Sequence, residues 1–245
     1  MNVLVIFDKT SDESLYQPLL SGLKSDFSVH FEQISAYENL GVLQEMLSQS
    51  NYDLVISGGA MAAHLPGLIA ANTEKPVLGL PLASQWEGLD ALISLQQSPF
   101  GLPVLTSAPD RSSAIIKFLR NIQTKQASHL KAMHLVIAPG LSEAAYVAEE
   151  LKRTQELALS KEITLTISSE PDSEALNIIL VHAAEAVRSD ILAIHVPLQA
   201  PEQHRFHAAA AIDVLHWVQK GGLWVGVNNT RNAILGYLRF ADLLN

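Results

Sequence analysis

The residues best suited to chemistry lie in three stretches: Asp8-Lys9-Thr10-Ser11-Asp12, Ser35-Ala36-Tyr37-Glu38-Asn39, and Ser57-Gly58-Gly59-Ala60-Met61-Ala62-Ala63-His64-Leu65-Pro66-Gly67. Each follows a short apolar run, so each is expected as a loop at the carboxyl end of a strand, where open parallel sheets bind ligands. In the first, Ser11 or Asp12 can cap a following helix whose free amides suit a phosphate, although an ordinary helix start has the same pattern. The second reads alone as no more than a helix start. The third stands out, because eight small or flexible positions precede Leu65 and let a ligand or a neighbouring backbone approach closely. A fourth stretch, Gly79 to Asp90, runs from a strand end into a polar-tipped loop holding Ser84 and Trp86.

Seven of the nine histidines lie in the second half. His182 and His195 fall at the ends of apolar runs and are expected to face a cleft. His204 and His207 are one helical turn apart with no carboxylate at matching spacing, and no His-Glu-x-x-His pattern occurs, so no metal is expected. The chain has no cysteine, which excludes disulfides, thiolate metal sites and cysteine nucleophiles and fits a cytoplasmic location. Sixteen Lys and Arg against twenty-five Asp and Glu give a net charge of −9 spread over both halves, which argues against a nucleic-acid partner. The opening residues carry no basic segment and only Val3 to Phe7 as an apolar run, too short for a signal or a membrane span.

A scaffold must position these loops. Apolar runs bounded by turn residues alternate with helix-length amphipathic stretches, the pattern of βα units around a parallel sheet buried on both faces. Strands are predicted at Val3–Phe7, Val29–Ile34, Leu54–Ser57, Val77–Leu80 and Val104–Ser107, then at Leu135–Ala138, Ile163–Ile167, Ile178–Val181, Leu192–Val196 and Leu223–Val227. Residues 121–133 break the alternation and read as a linker or an extended last helix. The expected fold is α/β, two three-layer αβα domains with parallel sheets over 1–126 and 131–245, arranged as a tandem repeat related by an approximate two-fold.

Three matches carry the repeat. Leu4-Val5-Ile6 falls on Leu135-Val136-Ile137 at an offset of 131, Leu80-Pro81-Leu82 on Val196-Pro197-Leu198, and Ala114 to Arg120 on Ala233 to Arg239. The second copy is shorter by about eight residues between its third and fourth strands, since Asp53 to Pro81 spans 28 positions and Asn177 to Pro197 spans 20. With 48% hydrophobic and 17% charged residues and a mean hydropathy of +0.18, little solvated surface is left, and an oligomer is expected.

Ala62-Ala63-His64-Leu65-Pro66-Gly67, followed by Pro76 to Leu82 and by Gly88-Leu89-Asp90-Ala91-Leu92, closely resembles the carboxyaminoimidazole ribonucleotide mutase and aminoimidazole ribonucleotide carboxylase family of purine biosynthesis. The resemblance runs over residues 2–122. It implies a flavodoxin-like fold and a mutase or carboxylase that moves or adds carboxylate at an aminoimidazole ribonucleotide without metal or organic cofactor. It also implies octamers of single domains with sites between subunits, so a fused pair is expected as a homotetramer of pseudo-dimers, with a small ribonucleotide as ligand and neither nucleic acid nor membrane as partner.

Position by position, the resemblance gives Ser11 to phosphate and Asp12 to ribose hydroxyls, while Asp8 and Lys9 replace the family's glycine and first serine. Asp8 would repel phosphate, and Lys9 would offset it. The family's Ser-Ala-His-Arg loop is here Ser35-Ala36-Tyr37-Glu38, so Tyr37 stands at the proton-shuttling histidine and Glu38 at the phosphate-binding arginine. Ser35, Gly58, Gly59, Ala62, Ala63 and Ser84 complete the expected substrate contacts. A tyrosine with a pKa of ~10 is a poor base near neutral pH, and loss of general acid–base catalysis costs ~10²–10⁴-fold in rate. The candidate catalytic residues are therefore Tyr37 and His64, with His182 and His195 as further proton donors. Two functions are compatible with these residues: the family's chemistry, or a catalytically inactive paralogue that binds a nucleotide or regulates a partner.

Overall fold

The computed structural model describes residues 1–8, 13–35, 39–48, 51–60, 64–83, 85–125, 132–202 and 207–244. The first half comprises β1 (Asn2–Phe7), α1 (Glu13–Leu23), β2 (Ser28–Gln33), α2 (Leu40–Ser48), β3 (Leu54–Gly59), α3 (Leu65–Ala71), β4 (Val77–Pro81), α4 (Leu89–Gln96), β5 (Leu105–Thr106) and α5 (Ser112–Gln123). The second comprises β6 (Ala132–Val136), α6 (Ala145–Ser160), β7 (Thr164–Ser168), β8 (Asn177–Val181), β9 (Ala193–Pro197), α7 (Ala208–Val218), β10 (Leu223–Trp224) and α8 (Thr230–Leu244). All ten predicted strands are present, with ends displaced by up to three residues.

The strands form one sheet in the order β2-β1-β3-β4-β5-β10-β9-β8-β6-β7. Read outward from the centre, each set of five repeats the same order, and every pairing within a set is parallel. At the centre Thr106 pairs with Trp224 antiparallel. The two expected units are therefore continuous through a shared sheet, and their strands run in opposite directions.

Burial explains the order. Strands β3, β4, β8 and β9 are buried along their whole length, as runs such as Asn177-Ile-Ile-Leu-Val181 require, whereas β2 and β7 at the outer edges alternate with exposed positions. Helices α1, α5, α6 and α8 cover one face through Leu19, Ile115, Val147 and Phe240. On the other face α2 and α3 cover the first half through Leu43 and Ile69, and α7 covers the second through Val214.

Hydrogen bonding sets the correspondence between the halves one residue away from the sequence offset. Thr106 and Trp224 pair across the seam; Gly79 and His195 are their next neighbours, then Ser57 and Ile179, then Ile6 and Val136. The offset in the first strand is thus 130, and Val5 and Leu135 pack on the same face. The sequence offset would have matched Leu135 to Leu4, which packs on the opposite face. A one-residue slip exchanges the faces of a strand, and a run that is apolar on both faces carries no alternation to prevent it. The shorter spacing in the second half is also explained, since a 3₁₀ turn at Ala184–Ala186 stands between β8 and β9 where α3 stands between β3 and β4.

Side chains from the second half seal the seam. Asn232 donates to the carbonyls of Ser98 (3.3 Å) and Pro99 (3.0 Å) and accepts the Gly101 amide at 3.0 Å, while Asn229 donates to Ser98 at 3.3 Å. Trp224 is fully buried and donates its indole N–H to the Gly221 carbonyl at 2.9 Å.

Candidate active site

In the first half, β1 lies between β2 and β3, and the chain leaves β1 for α1 on one face but leaves β3 for α3 on the other. Connections that diverge in this way open a crevice at the carboxyl ends of the two strands. Register brings Phe7 beside Gly58, Gly58 beside Leu80 and Gly59 beside Pro81, so the ends of β1, β3 and β4 meet on one rim. Ser35 joins them, because the Ile34 amide donates to the Phe7 carbonyl at 3.0 Å. Ser35, Gly58 and Gly59 are thus brought together and His64 stands at the start of α3, the helix that follows β3, whereas Lys9, Ser11, Asp12, Tyr37, Glu38, Ala62, Ala63 and Ser84 lie outside the described residues.

Gly58 has a structural reason for its size. A Cβ there would stand 2.0 Å from the Leu80 carbonyl oxygen and 2.9 Å from the Phe7 ring, so close packing of strands and core already requires glycine. The Gly59 carbonyl accepts the Leu82 amide at 2.9 Å. Both glycines form the floor of the crevice. His64 is exposed at the start of α3, where Pro66 occupies the first turn, and its side chain makes no capping bond to the helix.

Sequence reasoning missed two features of the β4 loop. Trp86, Glu87 and Gly88 have consecutive positive φ angles of 46°, 59° and 81°, and such non-glycine residues cost about 1–3 kcal/mol each, a strain that gathers at ligand clamps. Just beyond, both carboxylate oxygens of Asp90 are buried with no hydrogen-bond partner. Asp110 supports the loop from β5: its carboxylate accepts the Ala83 amide at 3.0 Å and its own amide donates to the Pro81 carbonyl at 2.9 Å. The motif Gly88-Leu89-Asp90 was visible in the sequence, but burial and lack of a donor are properties of the fold.

The two second-half histidines part company. His195 is fully buried in β9, stacked on Trp224 with ring centroids 4.6 Å apart. Its Nδ1 meets the Leu223 carbonyl at 3.2 Å and its Nε2 accepts the Arg188 amide at 3.3 Å, which fixes a neutral imidazole. Burial pushes its pKa down to about 4. The expectation that His195 faces a cleft and shuttles protons is therefore overturned. His182 does line a cavity, of about 510 Å³, with His207, Tyr146, Asp213 and Trp217. That cavity lies on the opposite rim from Ser35 and Gly58, because the seam is antiparallel, so within one chain His182 cannot complete the first-half crevice. No cluster of three potential metal-ligating side chains occurs among the described residues, and no helix there is long and apolar enough to cross a membrane.

A three-layer α/β unit with strand order 2-1-3-4-5 and a crevice at its switch point defines the flavodoxin-like class. The chain belongs to the AIR carboxylase family, whose model matches residues 2–137. It is 37% identical over 111 residues to N5-carboxyaminoimidazole ribonucleotide mutase of Methanocaldococcus jannaschii, covering 44% of this chain and 70% of the relative. The mutase of Escherichia coli K12 is 39% identical over 109 residues, covering 43% of this chain and 64% of the relative. A chloroplastic phosphoribosylaminoimidazole carboxylase of Vigna aconitifolia is 32% identical over 127 residues, covering 44% of this chain and 23% of the relative.

Proposed function

We propose that the first-half crevice binds an aminoimidazole ribonucleotide and moves or adds carboxylate at its ring. Family membership supports the substrate class, and the meeting of Ser35 with Gly58 and Gly59 on one rim is the observation that carries the reading. Departure of a carboxylate from a ring carbon requires a proton delivered to that carbon, and its return requires the proton removed. An imidazole exchanges protons near neutral pH, and His64, exposed at the start of the helix that follows β3, is the side chain assigned that role here, since Tyr37 stands at the family's histidine. Lys9, Ser11 and Asp12, which follow β1 in the sequence, would hold the phosphoribosyl group.

The chain is read as a tandem duplication whose second copy has lost the α3 loop, assembling as a tetramer of pseudo-dimers. Leu40 and Val42 at the start of α2 and Trp86 after β4 are exposed apolar side chains beside the first-half crevice, and a neighbouring subunit would cover them.

A second reading has its own support. Glu38 puts a negative charge where the family holds phosphate with arginine, which favours a non-catalytic protein that binds a nucleotide or regulates a partner. Turnover of N5-carboxyaminoimidazole ribonucleotide by the purified full chain, measured beside a thermal-shift titration with aminoimidazole ribonucleotide, separates the two. Conversion supports the enzyme; a stabilising shift without conversion supports the binding protein; neither response defeats both.

A further inference from the structure

We propose that the seam holds a second ligand site, for an uncharged planar heterocycle of nucleobase type, between α4 and α7. A cavity of about 410 Å³ opens there, in the size range of small-molecule sites, and it is built from both halves. Its wall is largely apolar, with Leu92 and Ile93 of α4 facing Ala211 and Val214 of α7, and among the described residues no Asp, Glu, Lys or Arg contributes to it. A charged ligand would lose its hydration there with no carboxylate, ammonium or guanidinium of the described wall to answer it, whereas a neutral one can use the amides and the His207 imidazole, so the chemistry selects a neutral ligand.

The polar side chains of the described wall are the amides of Gln96, Gln97, Gln199 and Asn229 and the imidazole of His207. Gln199 is already committed: its side chain donates to the Ala210 carbonyl at 2.6 Å. Gln96, in the last turn of α4, is 6% exposed, and its side-chain Nε2 is buried without a hydrogen-bond partner. An unmatched buried amide is destabilising, whereas an apolar side chain of the same shape there is neutral or stabilising. Gly226 keeps that turn close to the seam, since a Cβ on it would lie 2.2 Å from the Gln96 carbonyl oxygen. A primary amide at the end of an apolar slot matches the adjacent donor and acceptor of a heterocycle edge, the pairing that Asn and Gln make with adenine.

The site is remote from the reaction proposed above and does not depend on it. Ligand-observed NMR with adenine and hypoxanthine as probes, on the intact chain, tests it. The wild type is expected to bind in the micromolar to millimolar range. Gln96→Met, which keeps the length and removes the amide, is expected to weaken binding about tenfold or more while holding or raising the melting temperature. Ala211→Phe, which fills the slot, is expected to abolish binding, and His64→Asn to leave it unchanged. Absence of binding to the wild type, binding unaffected by Gln96→Met, or binding lost in His64→Asn would each overturn the assignment.

Discussion

Asp110 and Asn228 are counterparts across the seam. Both have left-handed backbones, with φ of 54° and 52°. Both donate the backbone amide to a strand-end proline carbonyl, Pro81 at 2.9 Å and Pro197 at 2.8 Å, and both accept the next loop amide on a side-chain oxygen, from Ala83 and Gln199, at 3.0 Å. One short carboxamide or carboxylate thus sets the exit of the fourth strand in each half.

The amide in Asn228 shows that a negative charge is not required for this contact. Asp110→Asn is expected to leave the melting temperature within a degree or two of wild type. Asp110→Ala loses the acceptor and places a Cβ residue without local compensation in a left-handed conformation, at about 2 kcal/mol in total. Equilibrium urea unfolding of both variants is the measurement; equal loss in both would contradict the geometry.

His64 and His195 are expected to separate chemistry from stability. His64→Asn should lower turnover of N5-carboxyaminoimidazole ribonucleotide by ~10²–10⁴-fold with an unchanged melting curve. His195→Asn should lower the melting temperature and leave the turnover of the folded protein near wild type, and Tyr37→Phe should alter neither strongly. Steady-state kinetics at a temperature where all three are folded decides the matter.

Stability should fall on mild acidification because of His195. Its folded pKa of about 4 lies below the ordinary 6.5, so the unfolded chain takes up the proton first as pH falls. The contribution is complete above pH 6.5 and is lost as pH drops towards 4, amounting to roughly 3 kcal/mol at most. Urea midpoints between pH 7 and 4.5 should therefore fall more steeply in wild type than in His195→Asn.

Gly58→Ala is expected to destabilise by at least ~1–3 kcal/mol, since the atom met by the new methyl is the Leu80 backbone carbonyl, which cannot rotate away. Calorimetric melting checks this. A fully stable Gly58→Ala variant would show that β3 and β4 can part without cost.

Light scattering of the intact chain is expected to give the mass of four copies. Trp86, 72% exposed in one chain, should then show a blue-shifted emission that Trp86→Ser removes together with part of the assembly. A monomer at micromolar concentration would defeat the tetramer.

Much of this was legible in the residues, and the illegible parts share a cause. The inner strands could be placed because most are dense runs of Val, Ile and Leu between turn residues, the edge strands β2 and β7 because they alternate, and the α3 start is marked by Pro66 after His64. The same density hid the register, since Leu4 and Leu135 look equivalent in sequence and pack on opposite faces. His195 read as a cleft residue because a strand-end histidine commonly is one. Its true setting depends on Gly222, where a Cβ would come within 2.5 Å of the imidazole ring. Asp90 and Gln96 acquire their meaning only from burial, which no local pattern announces.

The central pairing is short: two-residue strands, β5 and β10, with one bridged pair at Thr106 and Trp224. Two free five-stranded units meeting through so little ladder would separate on dilution. Carried on one chain, they meet at an effective concentration that a short tether sets in the millimolar range, whatever the amount of protein in solution. Covalent linkage lets the seam stay weak in ladder hydrogen bonds and use its residues for the Asn229 and Asn232 contacts and for the slot between α4 and α7, and it holds the two halves together when either is changed.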